Sequence, residues 1–134
     1  MKRSQAYYRN RKLLKELVYD KTKYRPTVSD IEEWFVILNE QIFGNKLPQF
    51  NEIRVGRPRK VHALFLYWPG EKERGSKLVM TKVFENKKQF VEILTHEMIH
   101  LFQHTFDEPL GHGPSFRVWD DNLKLKGLKL YKAA

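Results

Sequence analysis

Residues 88–100 read Lys-Gln-Phe-Val-Glu-Ile-Leu-Thr-His-Glu-Met-Ile-His, and residues 111–114 read Gly-His-Gly-Pro. Apolar residues fall at 90, 91, 93 and 94, and the series continues at 98, 99, 101 and 102. That spacing predicts a helix over about 87–104 with a wide buried face, capped by Asn86. His96 and His100 are four residues apart, so they lie one above the other on one helix face and can bind one metal ion together. Glu97 projects from the same helix and can reach a metal-bound water as general base. A catalytic zinc takes three protein ligands and keeps a fourth position open. His112 is the natural third ligand, because the glycines beside it let the backbone turn back toward the helix.

Other third ligands answer to the same physics. His104 lies one turn beyond His100. An ion seated between His96 and His100 would be about two turns from it, and at roughly 5.4 Å per turn that exceeds a bond of about 2.1 Å. His104 therefore reads as a surface or groove histidine. Asp107 and Glu108 offer oxygen, but they also suit a solvated acidic turn before Pro109. A five-residue pattern of this kind arises by chance on ordinary amphipathic helices. Here it falls on a partly buried helix and a third histidine follows in a Gly-rich turn, which favours Zn2+.

The rest of the chain frames that helix. Residues 4–20 read as a first helix, with Leu13, Leu14, Leu17 and Val18 as its apolar stripe. A second helix starts at Ser29, a candidate cap, and buries Trp34, Phe35, Ile37, Leu38, Ile42 and Phe43 before Gly44-Asn45 ends it. Three short strands follow: 53–55, His62 to Trp68, and Lys77 to Thr81, the last two joined by an exposed loop. Ser115 to Leu125 reads as a last helix, with Pro114 near its first turn. The expected domain plan is a basic N-terminal extension (1–28), one catalytic domain (29–125) and a basic tail (126–134) with a short strand.

The 134 residues suffice for one domain with a modest core, and 41% hydrophobic content marks a globular chain. No apolar run approaches the roughly 20 residues that span a bilayer. No apolar signal segment follows the basic N-terminus, so no membrane partner and a cytoplasmic location are expected. The absence of cysteine excludes disulfides and cysteine-based zinc ribbons. Net charge is +9, and residues 1–25 alone carry nine basic against two acidic side chains. Further clusters are Arg54, Arg57, Arg59 and Lys60, and Lys124, Lys126, Lys129 and Lys132. Basic surfaces attract phosphate backbones, and Tyr7, Tyr8, Tyr19 and Tyr24 beside the first cluster can stack on unpaired bases. DNA contact through the N-terminal helix and the Arg54–Lys60 cluster is the expectation, against a merely soluble basic surface.

The order of Phe35-Val-Ile-Leu-Asn39, Phe43-Gly-Asn-Lys-Leu-Pro48, then Val91-Glu-Ile-Leu-Thr-His-Glu-Met-Ile-His100 and Gly111-His-Gly-Pro-Ser-Phe116 resembles the SprT-like metalloproteases, which include the Spartan DNA–protein crosslink proteases. The resemblance spans roughly residues 30–120. It implies an α+β, zincin-like single domain with helices on a small, mainly antiparallel sheet and the HExxH motif on a central helix. It implies zinc on His96, His100 and His112, Glu97 as catalytic carboxylate, and cleavage of a protein or peptide substrate, stimulated by DNA. The HExxHxxGxxH pattern does not fit, because Gln103 and Phe106 stand where its glycine and histidine belong. The competing reading is a non-proteolytic nucleic-acid-binding or assembly protein that reuses a zinc-bound fold. His62, Tyr67 and His104 are candidates to assist an oxyanion. Trp68 suits either the core or the cleft rim, and Lys77–Thr81 or His62–Trp68 could supply a sheet edge for an extended peptide.

Overall fold

The computed structural model describes residues 3–58 and 60–131. Helices α1 (Gln5–Lys15) and α2 (Val28–Gln41) precede strands β1 (Glu52–Gly56), β2 (Ala63–Tyr67) and β3 (Ser76–Thr81). Helices α3 (Lys87–Thr105), α4 (Pro114–Arg117) and α5 (Asp120–Leu125) follow. The architecture is α+β. Among the described residues, no helix is long and apolar enough to cross a membrane.

The sheet is mixed rather than mainly antiparallel. Its order is β1-β3-β2, with β1 parallel and β2 antiparallel to β3. β3 takes the centre because Ser76, Leu78 and Met80 alternate on one buried face while both of its edges are paired. β2 suits an edge, since Leu64, Leu66 and Tyr67 each keep more than a third of their surface exposed. Of the two expected substrate edges, Lys77–Thr81 is therefore excluded by its central position, and only β2 has a free side. The loop between β2 and β3 holds a short 3-10 turn at Lys72–Arg74.

Helix α3 follows the expected bounds closely, with Asn86 as N-cap accepting from the Gln89 N–H at 2.8 Å. Phe90, Val91, Ile93, Leu94, Met98 and Ile99 have no exposed surface, so this helix is enclosed on nearly every side. The first helix is shorter than 4–20: the chain leaves it after Lys15, which turns Leu17 into the core and leaves Leu13 and Val18 exposed. Farther on, Tyr24 bridges to Phe84 through a pair of backbone hydrogen bonds at 2.8 and 3.0 Å. The last helix is broken into α4 and α5, with Pro114 in the first turn of α4. The described part of the basic tail carries no strand; its Leu128 and Leu130 join the same core as Leu14 and Leu17.

The second helix begins one cap earlier than expected. Thr27, not Ser29, is the N-cap: its hydroxyl accepts from the Asp30 N–H at 3.1 Å, and the Asp30 carboxylate accepts from the Thr27 N–H at 2.9 Å. This reciprocal capping box satisfies two helix-end donors. Beyond the helix, buried Asn39 donates to the Leu47 carbonyl and accepts from the Leu47 N–H, which closes the Phe43–Leu47 turn. Thr27→Ala should lower unfolding free energy by about 1 kcal/mol, whereas Ser29→Ala should change it by less than about 0.5 kcal/mol. Equal effects in chemical denaturation would contradict the assigned cap.

Candidate metal centre

His96 and His100 stand one turn apart on α3, and His112 arrives from the turn before α4. The His100 Nε2 lies 3.2 Å from the Nε2 atoms of both His96 and His112, and the third side of the triangle is 3.3 Å. Nitrogens bound to one tetrahedral zinc at about 2.0–2.1 Å are about 3.3–3.4 Å apart. The three imidazoles thus have the size of one face of a zinc tetrahedron. Among the described residues these three histidines form the group that could hold a metal ion. His104, Asp107 and Glu108 lie outside it.

The two rings on α3 are set by what their other nitrogens meet. The His96 Nδ1–H donates to the Tyr131 carbonyl at 2.7 Å. The His100 Nδ1–H donates to Gln103 Oε1 at 2.8 Å. Both bonds put the proton on Nδ1 and leave the Nε2 lone pair facing the other histidines. Burial pushes the His96 pKa down to about 4 and lowers that of His100, so both rings are neutral at neutral pH, as metal binding requires. The Phe116 ring, fully buried, packs under all three imidazoles, with centroids 4.8 Å from His96, 5.3 Å from His100 and 4.8 Å from His112.

Gln103 joins the helix to the third histidine. Fully buried, it accepts from His100 and donates to the Gly111 carbonyl at 3.1 Å and to the Ser115 hydroxyl at 3.0 Å. Ser115 in turn donates to the Pro109 carbonyl at 2.7 Å. The turn needs one of its two glycines for backbone reasons: Gly111 has φ +130°, which L side chains rarely adopt, while Gly113 has φ −80°. Gln103, Tyr131 and the role of Phe116 were missed in the sequence. For Gln103 a signal existed: a polar side chain three positions after His100, on the same helix face as that histidine.

Glu97 lines a cleft of about 390 Å³ with the three histidines, Ala63, Leu64, Phe65, Tyr67, Leu110 and Gly111. It is buried, and its Oε2 has no hydrogen-bond partner among the described residues. Desolvation alone pushes its pKa up to about 8. An adjacent cation acts in the opposite direction and favours the carboxylate.

The remaining candidates separate. Tyr67 lines the cleft. His62 is exposed, stacks on Phe84 and does not line it. His104 packs against Tyr67 and lines a neighbouring cavity of about 460 Å³ with Trp68 and Asp107. Trp68 lies at this rim rather than in the core, with the Arg74 guanidinium over its ring at 4.3 Å. Asp107 is exposed and pairs with Lys72 at 2.9 Å. Arg54, Arg57 and Lys60 are exposed; Arg59 lies outside the described residues.

Gln103→Leu should weaken zinc binding about 10- to 100-fold in chelator competition. Undiminished affinity in a folded Gln103→Leu protein would show that the His112 turn holds its place without this bridge.

A family model described as the SprT-like family matches residues 31–131. Comparison with curated proteins returned no significant match. The matched span contains α3, all three histidines and Glu97, and with most of its length inside that match the chain belongs to the SprT-like family.

Proposed function

We propose that the protein is a zinc-dependent endopeptidase of zincin-like design. The observation that carries this reading is the triangle of Nε2 atoms, 3.2–3.3 Å on each side, in one cleft with the buried Glu97. His96, His100 and His112 would hold the ion. When bound, zinc supplies Lewis acidity to a peptide carbonyl and lowers the pKa of water to about 7. Glu97 takes the proton of the attacking water at a carboxylate oxygen and returns it to the departing amine nitrogen. Its burial excludes bulk water from that exchange. The open side of β2 borders the same cleft through Ala63, Leu64, Phe65 and Tyr67. An extended substrate backbone would add to this edge, so selection would rest on main-chain bonds more than on a deep pocket.

DNA contact is the second element of the proposal. Arg11, Lys15, Lys88, Lys124 and Lys126 line a cavity of about 670 Å³ together with Tyr7, and it shares no residue with the catalytic cleft. Cations beside an aromatic ring suit a phosphodiester strand with unpaired bases. This groove supports DNA contact better than the Arg54–Lys60 cluster, of which Arg54, Arg57 and Lys60 are exposed side chains in and after β1. A strand held there could raise the local concentration of DNA-associated protein substrates.

The decisive assay is cleavage of a loosely folded protein with and without single-stranded DNA. Glu97→Gln should keep one zinc per chain and lose at least about 1000-fold in turnover, within the range a general base and its positioning supply. Glu97→Gln turning over like wild type would sink the assignment. Zinc-loaded wild type that cleaves nothing but binds DNA would favour the binding or assembly reading instead.

A further inference from the structure

Glu92 has no exposed surface and lies four residues before His96 on α3. Its Oε2 accepts from two donors that belong to opposite ends of the chain. One is the hydroxyl of Tyr19, in the segment between α1 and α2. The other is the N–H of Lys129, after α5, at 2.7 Å. Its Oε1 has no partner among the described residues. A leucine would fill this space at lower desolvation cost. What the carboxylate adds is one acceptor point at which two irregular segments meet.

The consequence appears two residues further on. Tyr131 carries the carbonyl that accepts the His96 Nδ1–H. Residues 128–131 belong to no helix or strand, so no backbone ladder sets the height of that carbonyl. The fixed points nearby are the buried side chains of Leu128 and Leu130 and the bond from Lys129 to Glu92. Side-chain packing alone leaves a backbone free to rotate about its peptide planes. The Lys129 bond restricts that freedom two residues before Tyr131.

We propose that Glu92 is a positioning residue for the metal centre: by clasping Lys129 it fixes the Tyr131 carbonyl, and the carbonyl fixes the tautomer and tilt of His96. The proposal rests on the reading of His96 as a metal ligand. Glu92 is not one of the three clustered imidazole residues and does not line the cleft, so it acts through the segment it holds.

Three variants test it, each read by zinc affinity in chelator competition and by the His96 Nδ1–H resonance in metal-free protein. Glu92→Leu removes the acceptor; it should weaken zinc binding about tenfold or more, and the slowly exchanging Nδ1–H signal should disappear. Glu92→Gln keeps an oxygen that can accept from both donors, so it should rescue both readouts to within about threefold of wild type. Should Glu92→Leu fail to fold, Lys129→Pro deletes the N–H on an exposed residue and carries the same expectations as Glu92→Leu. Wild-type affinity with an intact His96 signal in folded Glu92→Leu or Lys129→Pro overturns the proposal, even if thermal stability falls. So does a loss in Glu92→Gln as large as that in Glu92→Leu. If wild type itself binds no zinc, the metal reading fails, and the Nδ1–H signal still decides whether the clasp orients His96.

Discussion

Helix α3 has to bury polar side chains, and the rest of the molecule is arranged around satisfying them. Glu92, Thr95, His96, Glu97 and Gln103 are all buried on it. A polar group taken out of water without a partner costs a few kcal/mol, so each needs a donor or acceptor from elsewhere. Thr95 is satisfied locally, donating to the Val91 carbonyl at 2.8 Å. The others recruit distant chain: Tyr19 and Lys129 for Glu92, the Tyr131 carbonyl for His96, and the turn at Gly111 and Ser115 for Gln103. Two oxygens on this helix, Glu92 Oε1 and Glu97 Oε2, have no partner among the described residues, and of the two side chains Glu97 lines the cleft. An unsatisfied buried carboxylate beside three bare imidazole nitrogens is costly as structure and useful as chemistry.

Those dependencies explain what the sequence made legible. The bounds and cap of α3 follow from apolar periodicity and one asparagine, both local signals. So does the pairing of His96 with His100, since helical geometry alone fixes it. His112 could be named because a glycine-flanked histidine soon after a helix has few places to go. The strand order could not be read. It depends on which strand has both faces and both edges occupied, and single-strand patterns do not reveal edges. The early end of α1 was likewise hidden, because Leu17 leaves the helix for the core and Tyr19 for Glu92 on α3. Backbone acceptors such as the Tyr131 carbonyl have no residue-type signature at all.

The separation of surfaces gives the molecule two faces with different chemistry. The cleft holds three imidazoles, the Glu97 side chain and the apolar residues of β2. The groove between α1 and the chain around α5 is cationic, with Tyr7 at its wall. Lys88 belongs to that groove and to the first turn of α3, with its ammonium 4.4 Å from the centre of the Tyr19 ring. Tyr19 in turn donates to Glu92. A continuous run of contacts therefore leads from the basic groove through Tyr19 to Glu92, one helical turn before His96.

The central claim is that the three Nε2 atoms hold one zinc and leave it a free coordination position. X-ray absorption at the zinc edge, on protein loaded with one equivalent of zinc, measures this directly. The account predicts three imidazole nitrogens and one light oxygen ligand at about 2.0–2.1 Å. Two imidazoles, a fourth protein ligand in place of the oxygen, or no retained zinc would contradict it.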